Sequence, residues 1–136
     1  MMREDPALIP NAMEELLRYD SSVQMTGRST SEAVELGGVA IPAGQSVVAF
    51  LGAANRDPAV YEEPDRLDIT RRDIRPLSFG GGIHHCLGAQ LTRIEAQEAF
   101  AGLIRRLPGL ELPDKERPSW RRSFTLRGLT TLPARW

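Results

Sequence analysis

Apolar positions change their spacing along this chain, and each spacing predicts a different element. Across residues 10–19 good helix formers carry Met13, Leu16 and Leu17 at i, i+3 and i+4, the stripe of an amphipathic helix. Asp5-Pro6 reads as a helix start, with Pro10 interrupting that turn or opening a second helix. Beyond Ser21 and Ser22 the pattern becomes extended. Residues 34–41 alternate apolar and polar about Gly37-Gly38, which predicts a hairpin because paired glycines suit a two-residue turn with positive φ. Pro42-Ala43-Gly44 predicts a second turn, and the continuous apolar run at residues 47–51 predicts a strand buried on both faces.

Periodicity then fades. Residues 55–75 hold Pro58, Pro64 and many charges, with at most one short helix from Pro58 through Tyr61. An ordered loop of that length is uncommon unless it serves a purpose. Residues 88–107 form the longest predicted helix, closed by Pro108-Gly109. Leu87, Leu91 and Ile94 fall on one side of it and Ala96, Phe100, Leu103 and Leu107 on nearly the opposite side, which predicts packing between two layers. Residues 127–133 predict a short terminal strand. The fold class expected is α+β, mainly helical with short antiparallel β elements.

Composition narrows the function classes. A chain of 136 residues is of single-domain size. Its 17 basic and 18 acidic residues give a net charge of −1, which leaves no nucleic-acid footprint. Arginines cluster at Arg71, Arg72 and Arg75 and at Arg105, Arg106, Arg121 and Arg122, as solvated faces do. No stretch approaches roughly 18 consecutive apolar residues, and no signal-peptide pattern opens the chain, so neither membrane nor export is expected. One Cys forms no internal disulfide, which fits a cytoplasmic location. There is no internal repeat.

The chemistry concentrates just ahead of the long helix, in Phe79-Gly80-Gly81-Gly82-Ile83-His84-His85-Cys86-Leu87-Gly88. Glycine runs let a backbone take positive φ and approach a bulky partner closely. A Cys placed here has the free amides and positive dipole end of a helix beside it, which suit an anionic sulfur. An inert buried Cys, a nucleophile with a His base and a ligand to a metal all remain open on residue types alone. His84 and His85 lie too close in sequence to be typical bases, and further metal ligands are lacking. A phosphate cradle would carry Lys and Ser or Thr after the glycines. Haem iron needs only one protein thiolate, and without Cys-x-x-Cys-His covalent c-type attachment is excluded.

At this loop the chain closely resembles the cytochrome P450 family of haem-thiolate monooxygenases. Their Phe-x-x-Gly-x-(His/Arg)-x-Cys-x-Gly signature is matched at Phe79, Gly82, His84, Cys86 and Gly88. Glu15-Leu-Leu-Arg18 resembles the family's Glu-x-x-Arg helix. Ala54-Asn-Arg-Asp-Pro58 and Pro64-Asp-Arg-Leu-Asp-Ile-Thr-Arg71 resemble the segment before the haem loop in bacterial members, and Leu91-Thr-Arg93-Ile-Glu95 the helix after it. The resemblance runs through essentially the whole chain, in family order.

It implies haem b as cofactor, with Cys86 the axial iron ligand whose electron donation favours O–O cleavage. Phe79 would pack beside the sulfur, Gly82 and Gly88 would permit close approach, and Arg28 and His84 would pair with haem propionates. Glu15 and Arg18, by spacing alone a solvent pair worth a few tenths of a kcal/mol, become a buried network completed by Arg71. A ferredoxin-like or flavoprotein electron donor and a small organic substrate are implied as partners, with Arg72 and Arg75 placed to steer an acidic donor. Pro76 stands where bacterial members often carry a propionate-binding His, and Thr92 replaces a usual Ala. Residues 1–136 correspond to the C-terminal third of the family fold, one partial domain without the distal half. The expectation is a truncated portion of a monooxygenase. The alternatives are a non-catalytic remnant and, more remotely, a Cys-dependent hydrolase.

Overall fold

The computed structural model describes residues 1–113 and 118–136. Asp5 starts the chain's first helical turn, its carboxylate accepting from the Ala7 amide at 3.1 Å, and Pro6–Leu8 wind a short 3-10 turn. Helix α1 follows at Ile9–Tyr19, with Pro10 in its first turn where no amide donor is needed. Ile9, Ala12 and Met13 are buried and form the centre of the core. The charged Glu15 and Arg18 are buried as well, so α1 is enclosed on both sides and is no surface helix.

Strands β1 (Thr26–Ser29) and β4 (Ser46–Ala49) pair antiparallel, with Thr26 opposite Ala49 and Ser29 opposite Ser46. Between them β2 (Val34–Leu36) and β3 (Val39–Ile41) form the hairpin expected about Gly37-Gly38, whose φ angles are +58° and +79°. Gly44, at φ +77°, makes the second turn. The strand expected at residues 47–51 is shorter and differently placed. It ends at Ala49, Val48 and Phe50 are exposed, and Leu51 starts the four-residue helix α2 (Leu51–Ala54). Among the described strands only β1 pairs with β4, and three of the four β4 residues are exposed.

Residues 55–75 carry no helix or strand. The helix expected from Pro58 is a single turn, with the Val60 and Tyr61 amides donating to the Asp57 carbonyl at 3.0 and 2.9 Å. Helix α3 spans Ala89–Arg106. Ala96, Phe100, Ala101 and Ile104 pack on the α1 core, but Leu87, Leu91 and Ile94 lie open, so α3 meets one layer and not two. The tail forms isolated bridges, Val23 with Leu126 and Trp120 with Leu129, in place of the expected strand.

Candidate functional site

The Cys86 loop is built from two short turns, Leu77–Phe79 and Gly82–His84, joined by glycines. Gly80 and Gly82 take φ of +69° and +62°, a region that penalises any side chain. Gly88 needs no such freedom: its φ is −83°, and an added Cβ would meet only the Cys86 Sγ, at 3.9 Å. The loop closes through the Cys86 amide, which donates to the Phe79 carbonyl at 2.9 Å, and the Ala89 amide donates to the Cys86 carbonyl at 3.2 Å. Cys86 is thereby held exposed immediately ahead of α3.

An apolar cleft of about 320 Å³ opens beside the loop. Cys86, His84, Phe79 and Arg28 line it together with Leu17, Val23 and Leu51. Four residues expected to serve one group, from two distant stretches of sequence, therefore share one cavity wall. Gly82 and Gly88 shape the loop without lining the cleft. Arg28 on β1 donates to the Thr26 hydroxyl at 2.9 Å and the Gly27 carbonyl at 2.7 Å, while its side chain stays exposed. Thr92 also lines the cleft, its hydroxyl donating to the Gly88 carbonyl at 3.0 Å within α3.

Two buried polar knots tie the segment that leads into the loop onto α1. In the first, Arg18 grips Glu15 through two hydrogen bonds, at 2.7 and 2.8 Å, with neither side chain exposed. The remaining Arg18 donors reach the carbonyls of Asn55, Pro64 and Arg66 at 2.9, 2.8 and 3.2 Å. Arg71 adds a bond to Glu15 at 3.4 Å and spreads over the carbonyls of Glu62, Glu63 and Arg66. The Asp68 amide donates to Glu15 at 2.9 Å. Burial pushes the Glu15 carboxyl up, but the Arg18 hydrogen bonds, the Asp68 amide and the charges of Arg18 and Arg71 together hold it below the usual carboxylate value.

The second knot was not singled out from the sequence. Asn55 donates to the hydroxyls of Ser21 and Ser78 at 2.7 and 3.0 Å and accepts from the Leu77 amide at 2.7 Å. Both serines donate to the Leu17 carbonyl, at 3.0 and 2.5 Å. Asn55, Ser21 and Ser78 are all buried, so the entry to the Cys86 loop is tied to the end of α1 and to α2. The only hint was Asn55 inside the motif at residues 54–58; an isolated Ser carries no such signal.

The profile of the cytochrome P450 family matches residues 2–133. The 6-deoxyerythronolide B hydroxylase of Saccharopolyspora erythraea is 46% identical over 136 residues, 99% of this chain and 34% of that protein. The biotin biosynthesis cytochrome P450 of Bacillus subtilis is 49% identical over 134 residues, 97% of this chain and 33% of that protein. Among solved structures, P450BioI in complex with an acyl carrier protein ligated to hexadec-9Z-enoic acid superposes with a TM-score of 0.94. That match has 47% identity and covers 99% of this chain and 35% of the other. The chain belongs to the cytochrome P450 family, whose members carry a haem-thiolate cofactor. It spans about a third of the length of the curated relatives it matches. Among the described residues no helix is long and apolar enough to cross a membrane.

Proposed function

We propose that this chain is the proximal, Cys-bearing portion of a bacterial haem-thiolate monooxygenase, with residues 1–136 acting as one partial domain. The observation that carries the reading is the meeting of Cys86, His84, Phe79 and Arg28 around one apolar cleft. This donor set fits a haem: one exposed thiol as sole sulfur ligand, an apolar wall for a macrocycle, and Arg28 and His84 for its carboxylates. Exposed Ile83 and Leu87 offer further apolar surface beside the loop. Lack of a second Cys supports non-covalent haem b over a covalently attached haem. When bound, the haem supplies activation of dioxygen for transfer of one oxygen atom to an organic substrate.

The chain's own residues supply orientation and exclusion. Cys86 would hold the metal, and Phe79, on the same cleft wall, would pack beside the sulfur. Gly80 and Gly82 bend the loop so that no side chain intervenes. Arg28 and His84 would pair with haem carboxylates from the cleft wall, and Pro76 offers no such partner. A ferredoxin-like or flavoprotein donor supplies electrons, met by the exposed Arg72 and Arg75. The single unpaired Cys supports a reducing, cytoplasmic setting.

The reading is tested by adding hemin to the purified chain, reducing it under CO and recording the Soret band. A thiolate-type band present in the wild type and absent in Cys86→Ala is expected. An identical spectrum in both proteins would sink the ligand assignment. A second reading, a remnant without stand-alone activity, is favoured by the chain's spanning about a third of its relatives. It predicts no uptake of hemin and no turnover when substrate and electron donors are supplied.

A further inference from the structure

Arg93, in the second turn of α3, touches α1, the Phe79 ring and the start of its own helix at once. Its Nη2 donates to Glu14 Oε2 at 3.0 Å and its Nε to Glu14 Oε1, so the two side chains form a fork between α3 and α1. Its Cζ lies 4.8 Å from the centroid of the Phe79 ring. Nη1 reaches the Ala89 carbonyl at 3.4 Å, in the first turn of the same helix. Each partner of the ion pair is 23% exposed, which removes much of the screening that weakens surface pairs. The Glu14 hydrogen bonds, opposed by partial burial, hold the Arg93 guanidinium above its usual value, and it stays charged wherever the protein folds.

Phe79 is therefore held at both ends. Its ring meets a cation, and its carbonyl accepts the Cys86 amide that closes the loop. The ring hangs from the same Cα as that carbonyl, so anchoring the ring restrains the Leu77–Phe79 turn that presents the carbonyl to the Cys86 amide. A cation over an aromatic face supplies that anchorage, because the attraction falls off as the ring moves away.

We propose that Arg93, clamped by Glu14, is a positioning residue that seats the Phe79 ring and thereby aims Cys86 into the cleft. The inference rests on the haem-thiolate reading for the purpose of that aim, but its geometry belongs to the chain alone. Arg93 acts through Phe79, so the effects of changing the two are not additive.

Hydrogen–deuterium exchange at the Cys86 amide of the full, haem-free chain tests this in wild type, Arg93→Met, Arg93→Lys, Phe79→Leu and the Arg93→Met/Phe79→Leu double variant. Arg93→Met is expected to speed exchange at Cys86 about twofold to tenfold, the range of one cation–π contact. Arg93→Lys restores most of the protection, and Arg93→Met adds nothing once Phe79 is Leu. Equal acceleration across the α1 and α3 amides, or additive effects in the double variant, would overturn the proposal by reducing Arg93 to general support. In hemin-loaded protein the same variants are expected to shift the reduction potential and the ferrous-CO band in that order. Failure of the wild type to take up hemin would remove the haem reading, and the exchange cycle would still decide the role of Arg93.

Discussion

Gly80, Gly82 and Gly88 all belong to one glycine-rich loop, yet they are not equivalent. The first two sit at positive φ, where a Cβ costs roughly 1–2 kcal/mol, while Gly88 at −83° is open to any residue. Gly82→Ala is therefore expected to lower unfolding free energy by about that amount in urea titrations, and Gly88→Ala by under about 1 kcal/mol. If Gly88 serves close approach of a haem, Gly88→Ala lowers hemin affinity by more than its small loss of stability accounts for. A second residue-scale effect concerns acid. Glu15 has a depressed folded-state pKa, so its contribution is present above the ordinary value of 4.5 and is lost as pH falls through the lower folded value. Urea midpoints of wild type and Glu15→Gln should differ at neutral pH and converge in acid, with the wild-type slope steeper below pH 4.5. A constant difference down to the acid limit would assign the role of Glu15 to packing.

The elements were legible to different degrees, for physical reasons. The hairpin at β2 and β3 was readable because its turn chemistry is local, and α1 because its apolar stripe and Pro10 agree. The burial of Glu15 and Arg18 was not readable from spacing, since a pair at i, i+3 on a helix is equally at home in water; the family motif carried that information. The run at residues 47–51 misled because continuous apolarity reports burial only where other elements cover the strand, and here Val48 and Phe50 lie exposed. The same reason undoes the two-sided packing expected of α3. Asn55 is the element-scale counterpart: its side chain joins α1, α2 and the turn at Leu77–Phe79. Asn55→Ala leaves the Leu77 amide without its acceptor, at about 1–3 kcal/mol for a group left unsatisfied, while Ser21 and Ser78 keep the Leu17 carbonyl and each other. The expected outcome is a clear loss in thermal midpoint together with faster amide exchange at residues 77–79; a loss without local loosening would separate the knot from the loop.

At the scale of the molecule, the cleft brings β1, the end of α1 and the Cys86 loop together, and this convergence of Arg28 with His84 and Cys86 came from the family pattern, not from local residue types. Charge is a whole-molecule property here, because the chain is nearly neutral while Arg72 and Arg75 are both exposed on the segment leading to the loop. In a full-length enzyme containing this portion, Arg72→Glu with Arg75→Glu should weaken an acidic donor about tenfold at low salt, and the difference should shrink as ionic strength rises. Unchanged donor affinity across a salt titration would remove the two arginines from the docking surface.

The fan of bonds from Arg18 and Arg71 has a consequence for how this sequence can drift. Both arginines seize main-chain oxygens, those of Asn55, Glu62, Glu63, Pro64 and Arg66, and a main-chain oxygen is the one group that every amino acid supplies. The side chains of Glu62 and Glu63 are exposed and play no part in that grip. Mutational freedom is thus handed to the stretch being held, and constraint is concentrated in the two residues that hold it. The exceptions are Asn55, whose side chain ties the second knot, and Glu63, at φ +44°, where Gly or Asn would suit the backbone better.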